Sequence, residues 1–153
     1  MRPYTARIGS PEVKNDGGAA IGIVMNAADG RIILVNEAGG NKKPPYFWKF
    51  PGGKIDPCDK DPLATAIREV KEETGIVIPP DRIRQIAEIR KPTHTVFVFA
   101  ALVDSFADVA ERGEEGEIVR IFSMEELESM EKNGEFLHAH KTMKRMFVSF
   151  VNA

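Results

Sequence analysis

The chain has 153 residues, a length that suits one folded domain with a single hydrophobic core, and we expect one domain over residues 1–153. Its 23 acidic and 21 basic residues give a net charge of −2 without a long lysine and arginine run, which argues against a nucleic-acid-binding tail. The single cysteine, Cys58, excludes an internal disulfide framework, and no apolar run approaches the ~18 residues of a membrane span, so we expect a cytoplasmic protein.

The N-terminal region contains a predicted hairpin. Residues 1–16 are polar and irregular, and we predict an N-terminal arm or a short edge strand there. Residues 17–25 are mostly apolar with small residues that allow close backbone approach, which predicts a buried strand. The pair Asp29 and Gly30 predicts a turn, and residues 31–35 are the natural partner strand of the hairpin.

A loop and an aromatic segment follow the hairpin. Residues 37–45 form a loop by composition, whose lysines either face solvent or reach a substrate. Residues 46–50 are aromatic and predict a strand that stops at the turn Pro51-Gly52-Gly53. Residues 54–60 then predict a second loop.

The principal helix has recognisable ends. Asp61 predicts the N-cap, Pro62 the first helical position, and Gly75 a left-handed C-terminal cap. Between them, apolar residues at helical spacing predict a buried stripe, at Leu63, Ala66, Ile67 and Val70.

Three carboxylates, Glu69, Glu72 and Glu73, fall on one face of the last turns of this helix, which we predict to be more exposed than the stripe. Like charges at this spacing repel, and carboxylates at a helix C-terminus cost roughly 0.3–1 kcal/mol each. The cluster is explained if a divalent cation lies between the carboxylates. A solvated charged face is the alternative.

The second half of the chain predicts further strands. Residues 83–89 alternate in part, and residues 95–103 form a long apolar run that predicts a central strand buried on both faces. Residues 106–116 are acidic and contain glycine, which indicates a loop, and residues 118–122 predict a short strand.

Two helices complete the pattern. Ser123 with Glu126 predicts a capping box, and a last helix over about residues 137–150 has one apolar side. Because strands outnumber helices and the principal helix lies between strand clusters, we predict an α/β (α+β) fold with a mixed sheet and helices on its faces.

The stretch from Gly53 to Ile76 resembles the Nudix box of the Nudix hydrolases. That pattern is Gly, five residues, Glu, seven residues, Arg-Glu, an aliphatic residue, any residue, Glu-Glu, any residue, Gly and an aliphatic residue. Its second half matches at every specified position, at Arg68, Glu69, Val70, Glu72, Glu73, Gly75 and Ile76. In its first half Asp59 stands where the pattern has Glu, and eight residues separate it from Arg68. Either Asp59 replaces the family's first acid or Lys60 occupies its place.

The resemblance implies a Nudix-type α/β/α sandwich with a mixed central sheet, and Mg²⁺-dependent hydrolysis of a pyrophosphate, with Mn²⁺ as the alternative metal. The substrate it implies is a small nucleotide, a nucleoside diphosphate derivative or triphosphate, cleaved by in-line attack of a metal-activated water. Macromolecular nucleic acid and membrane are not expected partners. A non-catalytic Nudix-fold sensor of a nucleotide metabolite is the alternative function.

The resemblance also implies roles for individual residues. Glu69, Glu72 and Glu73 are the expected metal ligands, and a backbone carbonyl at Gly53 is a further one. Arg68 is adjacent in sequence and points elsewhere, so it is better placed to orient a glutamate through a bidentate pair than to contact substrate.

A single helix cannot surround an ion, so another oxygen ligand or base must come from elsewhere in the chain. The family often has one in the loop before the strand that precedes the last helices, and here we choose Glu115, with Glu117 next. An acidic solvated loop is the alternative. Glu69 and Glu115 are the candidates for the general base.

Substrate contacts are less legible in the sequence. Trp48 could stack on a base or pack in the core, and Lys54 lies beside the glycine turn. Pro92 lies sixteen residues beyond Ile76, a placing that resembles ADP-ribose-type members of the family, although it could simply shape a turn. The leaving group, the number of metal ions and the choice between monomer and homodimer stay open.

Overall fold

The computed structural model describes residues 6–8 and 17–153, which form a mixed sheet with helices on its two faces. The strands are β1 (Ala6–Ile8), β2 (Gly18–Asn26), β3 (Ile32–Asn36), β4 (Trp48–Lys49), β5 (Gly52–Lys54), β6 (Ile83–Arg90), β7 (Thr95–Val103) and β8 (Ile118–Phe122). The α-helices are α1 (Pro62–Thr74), α2 (Met124–Lys132) and α3 (Lys141–Val151), with short 3₁₀ turns at Glu37–Gly39, Pro80–Arg82 and His138–His140. Among these described helices, none has the length and apolar character needed to cross a bilayer.

The eight described strands form one sheet in the order β1-β6-β7-β2-β3-β4, with β5 paired to β2 and β8 paired to β3. Strands β2 and β7 run parallel over their whole lengths, from Gly18 opposite Thr95 to Asn26 opposite Val103. The other pairs are antiparallel, except that β1 runs parallel to β6. The predicted mixed sheet is therefore confirmed.

The two faces of the sheet are covered by different helices. Along β2, side chains alternate, so that Ile21, Ile23 and Met25 belong to the core under α2 and α3. Ala20 and Val24 belong to the opposite core under α1. This arrangement is the predicted α/β/α sandwich.

Helix α1 begins and ends where the sequence predicts. The Asp61 carboxylate accepts the N–H of Ala64 at 2.8 Å, and Pro62 is the first helical residue. Gly75 has φ of +81° and its N–H donates to the Lys71 carbonyl. The capping box at Ser123 and Glu126 is also confirmed.

Two predicted strand boundaries are wrong near the glycine turn. The strand expected over residues 46–50 is reduced to β4, because the N–H of Phe50 donates to the His140 ring at 3.1 Å instead of joining the ladder. The turn expected at Gly52 and Gly53 is strand β5, paired antiparallel to β2 with Gly53 opposite Ala20. A Cβ on Gly52 would lie 2.5 Å from the Ala20 carbonyl oxygen, so glycine permits this pairing.

The predicted last helix begins later than expected, because residues 138–140 form a tighter 3₁₀ turn before α3 starts at Lys141. At the other terminus, Ala6–Ile8 pairs with β6 at the end of the strand order. The remainder of the predicted arm, residues 1–5 and 9–16, lies outside the described residues.

Helix α1 lies unusually close to β2, because a Cβ on Gly22 would lie 2.6 Å from Val70 Cγ2. We expect Gly22→Ala to lower the free energy of unfolding by about 1–3 kcal/mol through overpacking. Urea denaturation of Gly22→Ala, Val70→Ala and the double variant checks this. The double variant should be less destabilised than the sum of the single variants, and simple additivity would contradict the close packing.

Candidate active site

The C-terminal turns of α1 face residues 51–53, where the chain bends at Pro51 and enters β5 at Gly52, and we keep the name glycine turn for this segment. The N–H of Gly52 donates to Glu73 Oε2 at 2.9 Å. A Cβ on Gly53 would lie 2.6 Å from Glu69 Oε1, so a side chain there would displace that carboxylate from its present position. Two of the three predicted acids are thus held directly against this turn.

The prediction that Glu73 lies on a more exposed face is wrong, since only 4% of the surface of Glu73 is exposed. It continues the buried stripe of Ala66 and Val70 by three residues, so its carboxylate points toward the sheet. Burial raises the pKa of Glu73 well above its usual range and Glu69 raises it further, although the Gly52 N–H and Lys49 oppose this. A bound cation would reverse this balance and favour the ionised form.

The bidentate pair of Arg68 is formed with an aspartate, and a single nitrogen of its guanidinium contacts the glutamates that the sequence suggests as partners. Its Nε and Nη2 donate to the two oxygens of Asp59, both at 2.9 Å. Its Nη1 donates to Glu69 Oε1 at 3.0 Å and lies 3.2 Å from Glu72 Oε2. One guanidinium therefore offsets the mutual repulsion of three carboxylates.

Asp59 anchors the loop that is one residue longer than the family pattern. Its Oδ2 also accepts hydrogen bonds from the Thr65 hydroxyl and the Asp56 N–H, both at 2.8 Å. Hydrogen bonds from Arg68 hold the pKa of Asp59 well below its usual range. This contact with Arg68 supports the alternative in which Asp59 replaces the family's first acid.

The acidic loop before β8 docks on the end of α1. The N–H of Ala110 donates to the Thr74 carbonyl at 2.9 Å, and the N–H of Glu114 donates to the Glu72 carbonyl at 2.8 Å. These bonds satisfy carbonyls that a helix terminus leaves open. They also bring Glu115, whose N–H donates to the buried carboxylate of Glu117 at 3.0 Å, to the carboxylate face of α1.

These elements enclose a cavity of about 350 Å³, which we call the acidic cavity. It is lined by Arg68, Glu69, Glu72, Glu73, Glu114, Glu115 and Glu117. The six carboxylates offer only oxygen donors, which suits Mg²⁺ or Mn²⁺ and not a soft metal, and the Arg68 guanidinium is the one cationic group of the lining. Within residues 6–8 and 17–153, no three His, Cys, Asp or Glu side chains already converge at metal-binding spacing. The donor chemistry fits a hard cation, and Arg68 would release Glu69 or Glu72 on binding.

The predicted substrate residues lie in different surroundings. The Trp48 ring packs edge-on against Phe122 at 4.9 Å with the Arg120 guanidinium above it, which favours the core alternative. The Lys54 carbonyl accepts Arg68 Nη2 at 3.3 Å, so Lys54 contacts the site through its backbone. Pro92 is exposed in the turn between β6 and β7.

Sequence reasoning missed three side chains near the glycine turn. Lys49 Nζ lies 2.6 Å from Glu37 Oε1, and its charge lowers the pKa of Glu73. His140 is buried and stacked on Phe50 at 5.7 Å, with Nδ1 accepting the Phe50 N–H. The signal for Lys49 was a cation inside an aromatic run. No local signal pointed to Glu37 or His140, because their partners are 12 and 90 residues away.

The comparisons with known proteins concern the family and the fold of the chain. The model of the NUDIX domain family matches residues 17–144. The fold is similar to MutT, described from Aliivibrio salmonicida and Vibrio cholerae, with a TM-score of 0.66 and 21% identity over 87% of this chain and 98% of that one. It is also similar to the NUDIX domain of Shewanella oneidensis NrtR, solved with ADP ribose, with a TM-score of 0.65 and 18% identity over 94% of each chain. These identities support the fold alone.

A sequence relative is the human mitochondrial coenzyme A diphosphatase NUDT8. It is 50% identical over 34 residues, which are 22% of this chain and 14% of that protein. The match thus covers a short segment of the longer relative.

The Arg68 and Asp59 ion pair should contribute more to the free energy of unfolding than an exposed ion pair does. Because Asp59 is largely buried and accepts four hydrogen bonds, we expect Asp59→Asn to lower the free energy of unfolding by about 1–3 kcal/mol. The matched control is Asp29→Asn, which weakens the exposed pair with Arg31 and should cost much less than Asp59→Asn. Equal losses in urea denaturation would contradict the anchoring role of Asp59.

His140 should make stability depend on pH. Burial, with Lys49 and Lys91, lowers the pKa of His140 to about 3. The unfolded chain therefore binds the extra proton first, and stability is full above about pH 6.5 and falls as the pH drops toward 3. We expect the wild type to lose about 2 kcal/mol more than His140→Asn between pH 7 and pH 5 in urea denaturation at both pH values. Identical losses would contradict a neutral, buried ring.

Proposed function

The chain belongs to the Nudix family, and we propose on that premise that it is a pyrophosphohydrolase acting on a nucleoside diphosphate derivative or a nucleoside triphosphate. The observation that carries this proposal is the acidic cavity, where the carboxylates of α1 meet the Gly52 and Gly53 turn and the Glu115 loop. Six carboxylates in one cavity repel an anionic substrate unless a cation is present. The proposed cofactor is therefore Mg²⁺, with Mn²⁺ as the alternative.

A diphosphate reacts slowly with water because its oxygens repel a nucleophile. When bound, the cation would neutralise that charge and activate water as the nucleophile. Glu69, Glu72 and Glu73 would hold it, with a carbonyl at Gly53 as a further ligand. The Gly52 N–H orients Glu73, and Arg68 orients Glu69 and Glu72 before the metal binds.

Two residues are candidates for the general base. Glu69 lies at the Gly53 end of the acidic cavity, and Glu115 lies on the loop that closes it. Glu115 is exposed and sits on a loop, which suits a group that must exchange its proton with solvent. Glu117 is less suited, because its buried carboxylate already accepts the Glu115 N–H.

The proposed partner is a small nucleotide, with neither macromolecular nucleic acid nor membrane involved. The protein would act as a monomer or a homodimer. We propose that Lys54 borders the substrate, and its backbone contact with Arg68 supports this proposal. Trp48 and Pro92 remain weaker proposals for substrate contacts. The exposed thiol of Cys58 suits a reducing compartment, and we propose the cytoplasm.

The alternative function is a non-catalytic sensor of a nucleotide metabolite. It is favoured by the similarity to the NrtR NUDIX domain, which was solved with ADP ribose. It predicts binding of ADP-ribose without turnover, whereas the hydrolase predicts phosphate-containing products.

The activity should depend on Mg²⁺ and on the carboxylates of α1. We expect product release in a panel of nucleoside triphosphates, ADP-ribose, dinucleoside polyphosphates, nucleotide sugars and NADH, measured by chromatography of the products. Glu72→Gln should lower kcat/KM by about 100-fold or more, because it removes a metal ligand. The control Glu135→Gln, at an exposed position, should leave kcat/KM unchanged. Binding without products from any member of the panel would support the sensor and contradict the hydrolase.

Metal binding should also be visible without substrate. Millimolar Mg²⁺ is expected to raise the melting temperature of the wild type, because a ligand that binds only the folded state stabilises it. Glu73→Gln should abolish this rise while increasing the melting temperature in chelator, because it removes a buried carboxylate but keeps an acceptor for the Gly52 N–H. An Mg²⁺-insensitive melting curve for the wild type would contradict the metal site.

A further inference from the structure

A second cavity of about 420 Å³ adjoins the acidic cavity. The two share one wall, formed by Glu114, Glu115 and Glu117. The rest of the second cavity is lined by residues of the loop after β3, which are Glu37, Gly40, Asn41 and Lys42. A substrate whose diphosphate lies in the acidic cavity can therefore extend past the shared wall toward this loop.

The far side of this second cavity carries Lys42 and Glu37, and Glu37 also pairs with Lys49, which does not itself line the cavity. Lys49 Nζ lies 2.6 Å and Lys42 Nζ 3.4 Å from Glu37 Oε1. Burial raises the pKa of Glu37, but the hydrogen bonds and charges of Lys49 and Lys42 outweigh it, so Glu37 is ionised. The group of Lys42, Lys49 and Glu37 thus carries a net charge of +1, opposite the three carboxylates of the shared wall.

The three side chains differ in how easily they can exchange partners. The Lys42 side chain is 65% exposed and its contact with Glu37 is long, so separating the pair costs little. The Lys49 side chain is 19% exposed and that of Glu37 is 27% exposed, so this pair is partly withdrawn from solvent. A phosphate oxygen that replaced the Glu37 carboxylate would meet a positive charge already fixed in place.

The shared wall between the two cavities is made of acidic residues. Glu114, Glu115 and Glu117 repel any anionic group that passes them. Among the described residues lining the second cavity, Lys42 is the only one with a positive charge, and Lys49 adds a second through Glu37. An anionic part of a substrate is therefore directed to one side of the cavity.

We propose that Lys42 and Lys49 form an anion subsite for the substrate phosphate that the metal does not hold, with Glu37 occupying the subsite in the free protein. The proposal rests on the proposed function, since it assigns a further specificity determinant to the same site. Substrate binding would move Glu37 away from the two lysines and leave both paired with phosphate.

The test measures the binding of α,β-methylene-ADP, a non-hydrolysable diphosphate, by titration calorimetry in Mg²⁺. We expect Lys49→Gln to raise Kd about tenfold and Lys42→Gln about threefold, because each removes one charge-assisted hydrogen bond. Glu37→Gln should lower Kd about threefold, because it frees both lysines. Lys49→Arg should keep Kd near the wild-type value, and the exposed neighbour Lys43 provides the control Lys43→Gln, which should leave Kd unchanged.

The Glu37→Gln variant distinguishes a subsite from an ion pair that only supports the fold. A purely structural pair predicts that Glu37→Gln weakens binding as much as Lys49→Gln does, and that result would overturn the proposal. Kd values of Lys42→Gln and Lys49→Gln equal to that of Lys43→Gln would also overturn it. If the wild type hydrolyses the substrate panel but Lys42→Gln, Lys49→Gln and Glu37→Gln leave Kd unchanged, the subsite is wrong and the proposed hydrolase stands.

Discussion

The structure depends on one constraint, the burial of the Glu73 carboxylate at the end of α1. Its hydrogen bond from the Gly52 N–H joins the helix to β5, which pairs with the central strand β2. The ring of His140, far along the chain, accepts the N–H of Phe50, two residues before Gly52. A buried carboxylate is unfavourable without a cation, so the same contact that assembles the site also prepares it to bind one.

The carboxylates of α1 would repel one another if the helix stood alone. Arg68 resolves this by pairing with Asp59 and reaching Glu69 and Glu72, while the loop before β8 satisfies the last carbonyls of the helix. The longer loop of this chain keeps its anchor because Asp59 reaches the guanidinium. Charge, capping and loop docking thus act on the same two turns.

Local signals in the sequence predicted much of this arrangement. The caps of α1, the capping box of α2 and strands β7 and β8 follow from residues within a few positions of each other. The burial of Glu73, the strand at Gly52 and the shortened β4 were not predicted, because partners far along the chain determine them. The pairing of Arg68 with Asp59 and that of Lys49 with Glu37 could likewise be identified only in the folded structure.

The carboxylates of α1 and the glycine turn are proposed to form a divalent cation site. Anomalous scattering from crystals soaked in Mn²⁺ can detect such a site. We expect a manganese peak bounded by Glu69, Glu72 and Glu73 that is absent from crystals of Glu73→Gln. A peak elsewhere on the molecule, or one that persists unchanged in Glu73→Gln, would contradict it.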